Sequence, residues 1–138
     1  MPKQIVNPPS LARPSGFNHG IMTSGGHLLF LAGQDASGPD GRIVAPGDLV
    51  GQCAQVLHNL GTVVEAAGGT MQDVVKLNVY VTDRDDYRAK LKPLGALFRD
   101  YFGTYYPTMA LFQIVALFQD DAVIEMEGFA VIGANNTS

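Results

Sequence analysis

Two carboxylates, Glu125 and Glu127, stand two residues apart in a segment that alternates like a strand. That spacing places both on one face, about 6.5 to 7 Å apart. A carboxyl held where water is excluded has a raised pKa and can orient or deprotonate a water molecule. The same pair could instead meet Lys or Arg of a neighbouring subunit, and both readings stand at this point. Other reactive side chains are scattered. His19, His27 and His58 fall on a strand, a turn and a helix and read as ordinary polar or half-buried histidines, so no metal site is expected. The single Cys53 excludes an internal disulfide and a multi-cysteine zinc site, and reads as a small buried hydrophobe. Asp83-Arg84-Asp85-Asp86 lacks the spacing of a calcium loop and reads as a solvated turn. None of GxGxxG, GxxxxGK[ST], GxSxG, HExxH or CxxC occurs.

The elements that must position these residues follow from periodicity. Four of the eight prolines (Pro2, Pro8, Pro9, Pro14) lie in the first fourteen residues, so residues 1–15 are expected as an extended arm with at most a short strand at Lys3 to Val6. Phe17 to Thr23 and His27 to Gly33 read as two strands of a hairpin turned at Ser24-Gly25-Gly26. Asp48 can cap a helix whose apolar positions Val50, Cys53, Leu57, Leu60, Val64 and Ala67 step by three and four until Gly68-Gly69 stops it. Val74 to Thr82 alternates as a strand, with Val75, Leu77, Val79 and Val81 on one face and Lys76, Asn78 and Tyr80 on the other. A second main helix starts at Pro93 and carries Leu94, Leu97, Phe98, Tyr101 and Phe102, with a turn or short helical segment at Asp83 to Lys92 before it. Met109 to Phe118 and Ala122 to Ile132 are the last strands, the latter with Ile124, Met126, Gly128 and Ala130 opposite the two glutamates. Residues 133–138 are expected as a flexible tail, and residues 1–138 as one domain.

Right-handed crossovers put both helices on one face of a single mixed six-stranded sheet, an α+β arrangement. The segment from Met109 is apolar on both faces, which leaves a second surface that water should not meet. A homo-oligomer with packed sheets is therefore expected. Composition agrees, because only 16% of the 138 residues are charged, against about 25% in ordinary soluble chains. Pro14 to Gln34, Leu49 to Val64 and Tyr101 to Gln119 carry no charge at all. None of the three is apolar enough to span a bilayer, no signal peptide is visible at Met1-Pro2-Lys3-Gln4, and a cytoplasmic protein without membrane contact is expected. A net charge of −4 and the lack of any Lys/Arg cluster argue against nucleic-acid partners.

Several segments together resemble the RidA/YjgF family of reactive-intermediate deaminases. They are Leu31-Ala32-Gly33-Gln34, Gln52 to Asn59-Leu60, Ala67-Gly68, Val74 to Asp83, Tyr106-Pro107 and Ile124 to Ala130, and the likeness spans residues 16 to 132 in order. The resemblance implies a chorismate-mutase-like fold and a homotrimer with its sheets packed inward and a small-molecule cleft at each subunit interface. It also implies cofactor-free hydrolysis of enamines and imines, such as those that threonine dehydratase releases, to a 2-oxo acid and ammonia. Carried over by position, Glu125 is the water-positioning catalytic residue, Gly33 and Leu111 supply cleft backbone, and Phe17 is the early aromatic, without the family's tyrosine hydroxyl. The family's Pro-x-Arg motif reads here as Pro107-Thr108-Met109, so the arginine that grips the substrate carboxylate is absent, and the asparagine common on the second helix falls at Gly95. Met109 with Phe17, Leu111 and Phe112 would make the cleft apolar, which points away from 2-imino acids. The alternative expectation is a non-catalytic trimer that binds a metabolite or a protein partner in the same cleft.

Overall fold

The computed structural model of the chain describes residues 3–134. Six strands occur among them: β1 (Lys3–Val6), β2 (Gly20–Thr23), β3 (Gly25–Gln34), β4 (Val74–Val81), β5 (Thr108–Gln113) and β6 (Ile124–Ala134). The helices are α1 (Leu49–Ala66), α2 (Arg84–Ala89) and α3 (Leu91–Phe102). A four-stranded mixed sheet runs β3-β6-β4-β5. The last strand enters the centre, antiparallel to both β3 and β4, while β4 and β5 are parallel across the α2–α3 connection. The mixed sheet with helices against it is the expected α+β architecture, but hydrogen bonding divides the six expected strands. β1 and β2 form a separate antiparallel ribbon, tied to the outer edge of β5 by one bridge, Asn18 to Thr108.

The hairpin expected at Ser24-Gly25-Gly26 does not form. The two glycines do have the left-handed backbone that a tight turn uses (φ 73° and 72°), yet they turn the chain from the ribbon into the sheet, where Gly25 pairs with Ala134. Gly26 is required by close approach as well as by φ. A Cβ there would lie 2.6 Å from the Ile132 carbonyl oxygen and 2.7 Å from the Ala134 nitrogen. Because β6 runs to Ala134, positions 133 and 134 are strand rather than tail; residues 135–138 of the expected tail lie outside the described residues, as do Met1 and Pro2 of the arm. The strand expected to reach Phe118 ends at Gln113, and Val115 and Phe118 stand fully exposed in the loop beyond it.

α1 conforms to its pattern. The Asp48 side chain accepts a hydrogen bond from the Gly51 N–H at the N-terminus, and Gly68 follows the C-terminus with φ 88°. Its apolar stripe, Cys53, Val56, Leu57, Leu60 and Val64, is fully buried against Leu77, Val79, Val81, Ile124, Met126 and Ala130 of the sheet. α3 adds Leu94, Phe98 and Phe102 to the same core. Pro93 sits in its first turn, where a missing N–H breaks nothing. A bulge between Val74 and Lys76 shifts the register of β4 against β6, so Val74, and not Val75, is the buried residue at the start of the strand. All the helices cover one face. The other carries half-buried Tyr80 and, in the open, Leu28, Phe30, Phe112 and Phe129, and among the described residues no helix is long and apolar enough to cross a membrane.

Candidate functional site

The sheet sorts the expected site residues into two groups on opposite faces. Glu125 pairs with Tyr80, whose neighbours Val79 and Val81 point into the helix-covered core, so Glu125, Glu127 and Tyr80 all stand on the open face. Tyr80 donates its hydroxyl to Glu127 Oε2 at 2.6 Å, and its ring stacks on Phe112 with centroids 5.6 Å apart. That hydrogen bond, foremost, and then burial raise the Tyr80 pKa, which keeps it a donor. Glu127 is thus engaged, and Glu125 is left as the unengaged carboxylate. Burial, followed by the nearby charges of Asp35 and Glu127, pushes the Glu125 pKa above the usual carboxylate range.

Gly33 belongs to this group. A Cβ at Gly33 would collide with the Glu125 carboxylate, so only glycine leaves that carboxylate its place. The β3–β6 ladder also shifts register between Leu31 and Gln34, which takes Ala32 and Gly33 out of the pairing beside the glutamate. Asp35 follows directly, and its turn is held from both sides. Its carboxylate accepts from the Ser37 N–H at 3.0 Å, and Asn59 of α1 donates to the Asp35 and Ser37 carbonyls at 3.1 and 2.9 Å. Below it, fully buried Gln52 donates to the carbonyls of Ala45 and Asp121 and accepts from the Val123 N–H, which pins the start of β6 two residues before Glu125.

Phe17, Met109 and Leu111 form the second group. Met109 pairs with Leu77 and Leu111 with Val79, so both side chains lean to the helix side at the edge of the sheet. Together with Phe17 they line a groove of about 520 Å³ closed on its far wall by Tyr87, Leu91 and Phe98 of α2 and α3. Phe17 is set in place by its neighbour, since Asn18 donates to the Tyr106 carbonyl at 2.7 Å and accepts from Asn7 at 2.9 Å. Thr108 anchors the other wall through a 2.5 Å bond from its hydroxyl to the Val75 carbonyl. Gly95 and Arg99 of α3 also line the groove. The sequence does not mark Arg99, Tyr80, Asp35 or the Gln52 network as site residues, because a lone polar residue on a helix or strand carries no spacing signal. Gln52 and Asn59 entered only as part of the family resemblance.

Within one chain, then, Glu125 and Gly33 come together, and Phe17, Met109 and Leu111 come together, but the two groups face away from each other. Among the described residues no cluster of His, Cys, Asp and Glu could hold a metal ion. The fold and this site define a class: a small α+β protein with a carboxylate beside a glycine on an open sheet face and an apolar groove at the sheet edge. Residues 10–132 match the family described as Endoribonuclease L-PSP. A RutC family protein of Pyrococcus horikoshii is 33% identical over 129 residues, covering 93% of this chain and 97% of its own length. The crystal structure of YyfB of Yersinia pestis, from the conserved Rid protein family, superposes with a TM-score of 0.85 at 33% identity over 96% of this chain and all of that one. The yjgF gene product of E. coli superposes at 0.66 and 30% identity, with 91% and 93% covered. The chain belongs to this RidA/YjgF family.

Proposed function

We propose that the protein is a cofactor-free hydrolase of small reactive enamines and imines, with Glu125 as its catalytic base and a homotrimer as its working form. The observation that carries this reading is the single unengaged carboxylate beside Gly33, with its pKa raised by burial and by Asp35. In the reaction, Glu125 takes a proton from water as the oxygen adds to the C=N carbon. Glu125 returns that proton to nitrogen to give the carbinolamine, then takes the hydroxyl proton and delivers it to the amine as the C–N bond breaks, so that ammonia leaves and a carbonyl compound remains. A raised pKa suits both halves, because the group must accept a proton from water and then return it.

The trimer supplies what one chain lacks. The open sheet face exposes Leu28, Phe30, Phe112 and Phe129, and the outer edge of β5 is paired only at Thr108 among the described residues. Packing such faces together buries apolar surface and lets the Glu125 group of one protomer close over the groove of its neighbour. With Met109 at the motif position, the strand offers no guanidinium to an amino-acid carboxylate. The preferred substrates are therefore intermediates other than 2-imino acids such as 2-iminobutyrate.

Ammonia release from freshly generated imines tests this. Glu125→Gln should lower it by about 10²-fold or more, and Met109→Arg should create 2-iminobutyrate hydrolysis that the natural sequence lacks. No ammonia from any imine, together with indifference to Glu125→Gln, would leave a non-catalytic binder as the better reading. Such a protein is stabilised by a compound that it leaves unchanged. The ribonuclease in the family's description finds little support in a chain of net charge −4. Absence of single-stranded RNA binding at low salt is the expected result.

A further inference from the structure

Among the described residues, Arg99 is the only charged one lining the groove of Phe17, Met109 and Leu111. From the last turn of α3 its side chain runs back toward the helix N-terminus, the direction that helical Cα–Cβ geometry favours. It ends with Nη1 3.5 Å from the place a Cβ on Gly95 would take, one turn earlier. The ion pairs of the described residues join Arg42 to Asp40, Arg84 to Asp85 and Lys90 to Asp86, and none takes Arg99. Gly95 is a second and independent oddity. It sits in the interior of a helix with nothing but Arg99 near its missing side chain, where glycine costs about 1 kcal/mol relative to alanine.

We infer that Arg99, lying across Gly95, is the anion anchor of this groove and that the ligand is a carboxylate with an apolar aryl or alkyl body. The inference deepens the proposed function, since it rests on that reading of the groove as the ligand site and names the substrate class. The guanidinium comes from the helix wall and not from strand position 109. A carboxylate on Arg99 therefore lies against α3, while the body of the molecule extends along Phe17, Met109 and Leu111. The carboxylate is then separated from the reacting carbon by the length of that body, unlike the adjacent carboxylate of a 2-imino acid. A planar guanidinium binds a carboxylate through two parallel N–H donors, and the apolar walls account for the rest of the ligand.

Isothermal titration of the full chain with phenylacetate and with phenylacetamide, its neutral counterpart, tests the anchor without requiring turnover. Phenylacetate should bind the natural protein on the order of tenfold more tightly than the amide. Arg99→Gln should remove that difference, Arg99→Lys should restore part of it, and Arg84→Gln, an exposed arginine outside the groove, should leave it intact. Arg99 is itself exposed, so an unchanged Tm in each variant shows that the fold is retained. Equal binding of acid and amide, failure of the acid to bind, or acid binding indifferent to Arg99→Gln would overturn the inference. Ammonia release from an imine that depends on Glu125 would survive that failure. Conversely, Arg99-dependent binding without any hydrolysis would uphold the anchor and remove the hydrolase.

Discussion

Glu125 and Glu127 are two positions apart on one strand face, and the difference between them lies in their neighbours. Tyr80 occupies Glu127, whereas Glu125 meets the gap left by Gly33. Glu127→Gln is accordingly expected to retain most ammonia release, while Glu125→Gln loses it; equal losses in parallel assays would assign the base to the pair. The pH dependence follows from the direction of the Glu125 shift. Ammonia release should fall on the acid side at a pH above the ordinary carboxylate range, because the ionised form is the base. Stability runs the other way. A carboxyl whose folded-state pKa exceeds its unfolded value favours folding while protonated and opposes it once ionised. The unfavourable contribution is absent below about pH 4 and grows as pH rises through the raised value. Glu125→Gln should therefore raise the Tm at pH 7 and leave it nearly unchanged at pH 4, as measured by paired thermal melts.

At the level of elements, local pattern and distant pairing parted company. The period of α1, its Asp48 cap, the alternation of β4 from Leu77 onward and the opposed faces of β6 are all written in neighbouring residues and legible there, whereas the bulge at Val74 is not. Strand pairing is not local. Ser24-Gly25-Gly26 reads as a hairpin turn by composition, and the glycines do have positive φ; what they serve is the approach of β6, more than a hundred residues later. The same holds for the site. The resemblance located Phe17, Gly33, Met109, Leu111 and Glu125, but their division between two faces depends on the register of β4 against β5 and β6. Arg99 on a helix surface reads as any solvated residue until the groove beside it is seen. The approach at Gly26 makes a comparative prediction. Gly26→Ala and Gly41→Ala both place a side chain at positive φ, a strain of about 1–3 kcal/mol. Only the Gly26 variant also strikes backbone, since among the described residues nothing lies within 4 Å of the place a Cβ on Gly41 would take. Urea unfolding should show Gly26→Ala as clearly the more destabilised of the two. Gln52→Ala, which leaves the Ala45 and Asp121 carbonyls and the Val123 N–H without their partner, should cost at least about 1–3 kcal/mol in the same assay.

For the whole molecule, the shortage of charge acquires a location. The uncharged stretch from Pro14 to Gln34 contains Leu28 and Phe30, and the stretch from Tyr101 to Gln119 contains Phe112; these three residues stand exposed on the open sheet face beside Phe129. Phe30 and Phe129 meet edge to face with centroids 5.4 Å apart, and Phe30 is 69% exposed. An aromatic pair left in water on a sheet face is apolar area that association would bury. For the proposed homotrimer, sedimentation equilibrium of the natural protein should return about three times the chain mass of 14.7 kDa. In the proposed trimer Phe30→Glu places a charge between the packed faces, where its desolvation is uncompensated, while the helix-covered core of its own chain is untouched. Far-UV circular dichroism should be retained and the mass should fall toward that of one chain. Ammonia release should fall with it, because the Glu125 group and the groove lie on opposite faces of one sheet and, in the proposed trimer, meet across a subunit boundary. A natural protein that sediments as a 14.7 kDa monomer, or a dissociated Phe30→Glu variant with full activity, would defeat the shared site.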